Sequence, residues 1–185
     1  VVRLFLSRFG IEVADEQHRQ IVGRDLLHAL ADEQRAFLPR GPQRLIQVAK
    51  VGGAAEQDIA RVRAVREVIG TDRQLTIDAN CGWVADTAIY CIRALADCRL
   101  SLVEQPTPNG DYASLARVRR ETQPPVMADD ICFDMIHARE LIRNECCDVI
   151  NLYPGKQGGI RKARLIADFA EQHGVVCSIG SNLEF

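Results

Sequence analysis

The chain has 185 residues, 47% of them hydrophobic and 26% charged, which is the composition and length of one globular domain or a little more. A net charge of −2 removes the electrostatic case for nucleic acid or an anionic membrane as main partner. The longest unbroken apolar run, residues 88–92, is far short of the roughly 20 residues of a membrane span.

Taken in chain order, residues 1–43 open with Leu4–Leu6 between Arg3 and Arg8, without the apolar core and cleavage site of a signal peptide. Asp15, Glu16, Arg19 and Gln20 then give way to Leu26, Leu27, Ala29 and Leu30, a pattern that predicts a helix across roughly 14–37, ended near Pro39-Arg40-Gly41-Pro42. Pattern alone gives this segment no role, His18 and His28 included.

From residue 44 the chain alternates. Strands are expected at 44–51, 74–77, 100–103, 125–128, 148–152 and 175–179, and helices at 55–69, 85–97, 113–121, 135–144 and 160–172. The first helix shows the pattern well: Ile59, Val62, Val65 and Ile69 share one face, its charges fall mostly elsewhere, and Gly70 ends it. Short strands apolar on both faces, alternating with amphipathic helices every 25 residues or so, describe an α/β protein with a parallel sheet covered by helices. A (β/α) barrel and an open doubly wound sheet both fit this rhythm. Val51-Gly52-Gly53 lacks the later glycine of a dinucleotide fingerprint.

Three carboxylates stand at successive strand ends: Asp78 in IDAN, Glu104 in VEQP and Asp129 in MADD, spaced 26 and 25 residues apart. One acid per βα unit gathers all three on the face where barrel active sites form. Carboxylates brought together repel unless a cation lies between them. All-oxygen donors without His or Cys suit Mg2+, or Mn2+ in its place. Lys50 ends the first strand, 28 residues before Asp78. A cation nearby disfavours its ammonium form and prepares it to act as a base. The competing reading makes each acid a helix N-cap. The seven cysteines are odd in number and contain no CxxC pair, so they read as small buried hydrophobes of a protein in a reducing cytoplasm.

With KVGG at 50–53, DANCGW at 78–83, VEQP at 103–106, MADD at 127–130 and KQGG at 156–159 in this order, the chain resembles the enolase superfamily, and within it the mandelate racemase and muconate lactonizing enzyme group. The resemblance runs from about residue 47 to 185. It implies a (β/α)7β barrel with a separate capping domain, Mg2+ on three strand-end acids, and removal of a proton alpha to a carboxylate. Carried over, it makes Asp78, Glu104 and Asp129 the metal ligands, with Asp130 adjacent, and Lys50 the second lysine of a KxK motif.

There are departures. Val48 stands where the first KxK lysine is expected, and Tyr153 where a second acid/base lysine is expected, 24 residues after Asp129. Lys156 matches a basic position outside the catalytic one. Tyr153 favours a one-base dehydration or cycloisomerisation over a two-base racemisation, and can itself donate a proton. Glu184 joins Lys50 and Tyr153 as a catalytic candidate. Residues 178–184 resemble the family's loop after its seventh strand, which makes Ser181 and Asn182 expected substrate contacts, and Asn80 and Gln105 are expected to orient the neighbouring carboxylates. Trp83 reads as loop packing.

The expected organisation is therefore an unassigned helical segment at 1–43, a remnant of the capping domain or first strand, then a partial TIM-like barrel at 44–185 that lacks the last strand and most of the cap. The expected function is a Mg2+-dependent lyase or isomerase acting on a small-molecule carboxylate, and the resemblance allows a homo-oligomer. The alternatives are a non-catalytic truncated barrel that keeps a metal site, and a flavodoxin-like binding module.

Overall fold

The computed structural model describes residues 46–180. The predicted helix at 14–37 lies outside them. The element order is β1 (Ile46–Lys50), α1 (Ala55–Ile69), β2 (Gln74–Asp78), α2 (Ala85–Ala94), a 3-10 turn (Ala96–Cys98), β3 (Leu100–Glu104), α3 (Tyr112–Glu121), β4 (Val126–Ala128), α4 (Met135–Arg143), β5 (Val149–Leu152), α5 (Ile160–Gln172) and β6 (Val176–Ile179). The six strands form one sheet in chain order, and every neighbouring pair is parallel. A doubly wound sheet reverses its strand order at a switch point. This one does not, so it winds as a barrel does, and the flavodoxin-like reading is excluded.

The core lies between sheet and helices. Ile77, Val103, Val126 and Ile150 from the strands meet Val62, Ile89, Leu115, Leu141 and Ile166 from the helices, all of them buried. Each such side chain contributes about 1.5–3 kcal/mol by leaving water. All seven cysteines are free; five are buried and Cys81 and Cys177 are partly so. Burial pushes the Cys132 thiol up to about 12 and that of Cys91 to about 11, which suits packing rather than nucleophilic chemistry. Among the described residues no helix is long and apolar enough to cross a membrane.

Several boundaries differ from expectation. β2 and β3 each run one residue further, so Asp78 and Glu104 are the last residues of strands rather than the first of loops. The ladder accounts for this: Val51 N donates to Asp78 O and Ala79 N to Glu104 O, which keeps both backbones extended. α2 ends at Ala94, three residues early. The chain then tightens into the 3-10 turn, and Arg99 reverses it with φ 50°.

The register contains one irregularity of consequence. Leu75 pairs with Leu100, but Thr76 pairs with Leu102, leaving Ser101 as an extra residue in β3. Its hydroxyl donates to Leu75 O at 3.0 Å. Without that insertion Asp78 would face Val103; with it, Asp78 faces Glu104.

The acids at the strand ends do not cap helices. The N-cap positions belong to Ala54, Val84, Asp111, Asp134 and, for α5, Gly159. Asp134 accepts from the backbone N–H groups of Ile136 at 2.9 Å and His137 at 3.0 Å. The bond from His137 holds its carboxyl below the usual carboxylate range. Asp134→Ala is expected to cost about 1 kcal/mol near neutral pH. Because the folded-state pKa is depressed, the ionic part of that loss is full above the unfolded value of about 3.9 and fades as pH falls through the folded one. Urea denaturation of both proteins at pH 7 and pH 3 measures it.

Candidate active site

The pairing sets Lys50 opposite Asp78 and Asp78 opposite Glu104. Neighbouring strands lie about 4.8 Å apart and paired residues share a face, so the three side chains form a row at the C-terminal ends of β1, β2 and β3. Lys50 Nζ donates to Asp78 Oδ2, and to Asn80 Oδ1 at 3.0 Å. Asn80 has φ 42°, which folds it back so that its own N–H donates to Asp78 Oδ1 at 2.9 Å.

Asp129 lies just past β4, where the ladder has ended. Its N–H instead donates to the side-chain Oε1 of Gln105 at 2.9 Å. Gln105 is fully buried, and its Nε2 donates to Thr107 O at 2.9 Å. The side chain next to Glu104 thus fixes the backbone of Asp129.

β5 completes the far end. Asn151 Nδ2 donates to Glu104 Oε1 and to the Tyr153 hydroxyl, both at 3.2 Å, and that hydroxyl donates to Asp129 Oδ2 at 3.3 Å. Lys156 Nζ donates to Asp129 O at 2.7 Å and Oδ1 at 3.1 Å, and lies 4.5 Å from the Tyr153 ring centroid. The Tyr153 ring also packs over Gly180, where a Cβ would collide with it. Asp130 turns away from the row: its carboxylate faces Cys81 Sγ at 3.7 Å. Ser181, Asn182 and Glu184 lie outside the described residues.

Two residues of this network were missed from sequence. Asn151 is the polar interruption of the apolar run Val149-Ile150-Asn151-Leu152, two residues from Tyr153 and therefore on its face of the strand. That placement was the available signal. Gln157 accepts from Tyr153 N at 2.7 Å and donates to Cys132 O at 2.8 Å, tying the loop after β5 to the loop after β4. It stands in a glycine-flanked loop, and its burial was not visible in sequence.

The charges act on one another. Burial, then the negative charges of Asp78 and Asp129, push Glu104 up to about 7, against the pull of Lys50. Burial also raises Asp129, opposed by Lys156. For Lys50, burial acts to lower the pKa, but its bond to Asp78 and the charges of Asp78, Glu104 and Asp129 outweigh it, so the ammonium is favoured. The downward shift expected from sequence presupposed a cation among the acids; here the lysine itself neutralises them. Burial and the charges of Asp129 and Glu104 push Tyr153 well above the ordinary phenol range.

Among the described residues, no three His, Cys, Asp or Glu side chains stand close enough together to hold a metal ion in their present positions. The donor chemistry nevertheless fits a hard divalent cation. The set is three carboxylates, all oxygen, with Glu104 kept from ionising partly by the charges of the other two.

A profile described as "Enolase C-terminal domain-like" matches residues 31–185. The chain belongs to that family. The enolase C-terminal domain-like chain is 43% identical over 135 residues to a hydrophobic dipeptide epimerase of Enterococcus faecalis, covering 73% of this chain and 38% of that protein. The crystal structure of a dipeptide epimerase from Enterococcus faecalis V583 with Mg and the dipeptide L-Leu-L-Tyr superposes with a TM-score of 0.74 at 41% identity, covering 76% of this chain and 40% of that one. A muconate cycloisomerase structure from Pseudomonas fluorescens gives 0.70 at 28%, covering 74% and 38%. The chain thus spans about two fifths of the length of these relatives. The sheet is that of a partial enolase-superfamily barrel, as the sequence motifs implied.

The raised pKa of Glu104 gives a test without metal. Between about 4.5, its ordinary value, and about 7, the folded state holds a proton that the unfolded chain has released. Stability therefore falls as pH rises through that window. In EDTA, the wild type is expected to lose roughly 1–3 kcal/mol more than Glu104→Gln between pH 5 and pH 8. Denaturant titrations of the two proteins check this, and equal losses would refute it.

Proposed function

We propose that the protein removes a proton alpha to a substrate carboxylate, with Lys50 as base and Mg2+, or Mn2+, held by Asp78, Glu104 and Asp129. The observation that carries this reading is Lys50 held on Asp78 in one row with Glu104, with Asp129 joined to Glu104 through Tyr153 and Asn151. A proton alpha to a carboxylate is very weakly acidic, so a base is effective only beside a site that binds the charge it creates. The cation, when bound, supplies electrostatic stabilisation of the negative charge that develops on the substrate carboxylate.

The chain's own residues do the rest. Lys50, as the neutral amine that a cation bound among the acids would favour, takes the proton at Nζ, oriented by Asp78 and Asn80. Gln105 and Lys156 hold Asp129, and Asn151 holds Glu104. Tyr153 reaches the other end of the row with its hydroxyl, placed to return or donate a proton from the far face. The relatives suggest the substrate class, a dipeptide or similarly N-acylated amino acid, within the broader class of small organic acids.

Tyr153 also favours a second reading, a one-base dehydration or cycloisomerisation. It stands at the strand end opposite Lys50, and burial among carboxylates makes its phenol a poor base.

Incubating the protein with Mg2+ in D2O and a panel of dipeptides and other carboxylates tests both. Deuterium uptake at the alpha carbon is expected, and Lys50→Ala is expected to lower it by about 10³-fold. Uptake into both epimers, with epimerisation slowed by Tyr153→Phe, supports two-face chemistry; uptake into one epimer alone supports the one-base reading. No uptake by the wild type across the panel sinks both, and Mg2+ binding without uptake would favour a non-catalytic barrel.

A further inference from the structure

Asp58 lies in the first turn of α1, apart from the row of acids, yet it is only 1% exposed. An acid in a first turn needs no burial to interact with the helix dipole, and a buried carboxylate is costly unless its oxygens are fully bonded. Here four donors from three segments converge on it. Oδ2 accepts from Gly52 N at 3.0 Å, Gly53 N at 2.7 Å and Trp83 Nε1 at 3.2 Å. Oδ1 accepts from Arg61 Nη1, which also donates to the backbone oxygen of Lys50 at 3.3 Å.

These donors surround one residue. Gly52 and Gly53 follow Lys50 directly in the loop after β1, and Trp83 closes the loop after β2 that carries Asn80. The two loops touch backbone to backbone: a Cβ on Gly52 would strike Ala79 O, and one on Gly82 would strike Gly52 O. Asp58 therefore ties the segment that leaves Lys50 to the loop that supplies Asn80, an acceptor of the ammonium.

We propose that Asp58 is a positioning residue for Lys50: it clamps the two loops so that Nζ is held on Asp78 and Asn80. This rests on the reading of Lys50 as the base, but the clamp itself can be read without activity.

In the full chain, Asp58→Asn replaces one oxygen with an NH2 group facing N–H donors, and Trp83→Phe removes a single donor while keeping the ring. In the alpha-proton exchange assay, Asp58→Asn is expected to lower kcat by about 10- to 100-fold, the effect of a displacement of about 1 Å at the reacting group. KM and the Mg2+ dissociation constant should stay within about twofold, because neither the acids nor the substrate contacts have moved. Trp83→Phe is expected to show the same split at a smaller size. Faster deuterium exchange at the Gly52 and Gly53 amides should accompany both. Unchanged kcat in a folded Asp58→Asn protein overturns the proposal, as does a parallel loss of kcat, substrate affinity and metal affinity. If Asp58→Asn does not fold, Trp83→Phe is read by the same criteria. If the wild type shows no exchange, the functional reading fails separately. The clamp then stands if the variant's Gly52 and Gly53 amides lose protection and its crystal structure shows Nζ off Asp78 and Asn80; it falls if either is unchanged.

Discussion

Backbone pairing at the C-terminal edge of the sheet sets the constraint on which the site depends. Parallel strands in register put Lys50, Asp78 and Glu104 on one line, about 4.8 Å apart from strand to strand. The extra residue Ser101 brings Glu104 into that line, because a one-residue slip would have pointed the carboxylate to the other face. Two acids on adjacent strands, with a third beyond them, would not be kept together by packing alone. The rest of the site offsets their repulsion: Lys50 on Asp78, Lys156 on Asp129, and Asn151 on Glu104. Glu104, which has no ion pair among the described residues, is the one driven up to about 7.

Beyond the ladder, side chains take over from backbone. The loops after the strands bend too sharply for regular pairing; Asn80, Cys81 and Gln105 all have positive φ. Gln105 replaces the missing ladder bond at Asp129, Gln157 joins two of the loops, and Asp58 gathers the first two. Each is a buried polar side chain, and each is bonded at both ends, as burial demands. Strained backbone and buried amides at the same strand ends describe a site whose geometry is specified rather than left to mobile loops.

Much of this was legible in the sequence. The alternation of apolar strands and amphipathic helices depends on local periodicity, so every strand and α-helix from 46 onward was found, with errors of a residue or so at most ends. The phased acids were legible because one βα unit occupies a nearly constant length. Three-dimensional pairing was not. The insertion at Ser101 leaves no local pattern and shows only once the strands are aligned. Asp58 reads as one more charge on the polar side of α1, since nothing in a helical wheel shows that two glycine amides and an indole will close over it. Residue type alone does not separate Asp129 from Asp130 in MADD; the resemblance chose Asp129, and the Gln105 bond and the turn of Asp130 toward Cys81 now set the two apart.

The two ends of the row differ physically, and the difference bears on chemistry. Both carry a lysine, but their surroundings give them different duties. Lys50 is 42% exposed and, among the described residues, its amino group is bonded to side-chain oxygens, so it can leave Asp78 and face a substrate without exposing a buried backbone group. Lys156 is 10% exposed, holds the backbone oxygen of Asp129 as well as its carboxylate, and lies against the Tyr153 ring. Drawing it out to act as a base would break both of its bonds to Asp129, leaving Cys132 N on the carbonyl and the Tyr153 hydroxyl on the carboxylate. Lys156 is therefore a fixed counter-ion. Tyr153, whose hydroxyl is bonded to Asp129 Oδ2, is the other group at that end that faces the acids.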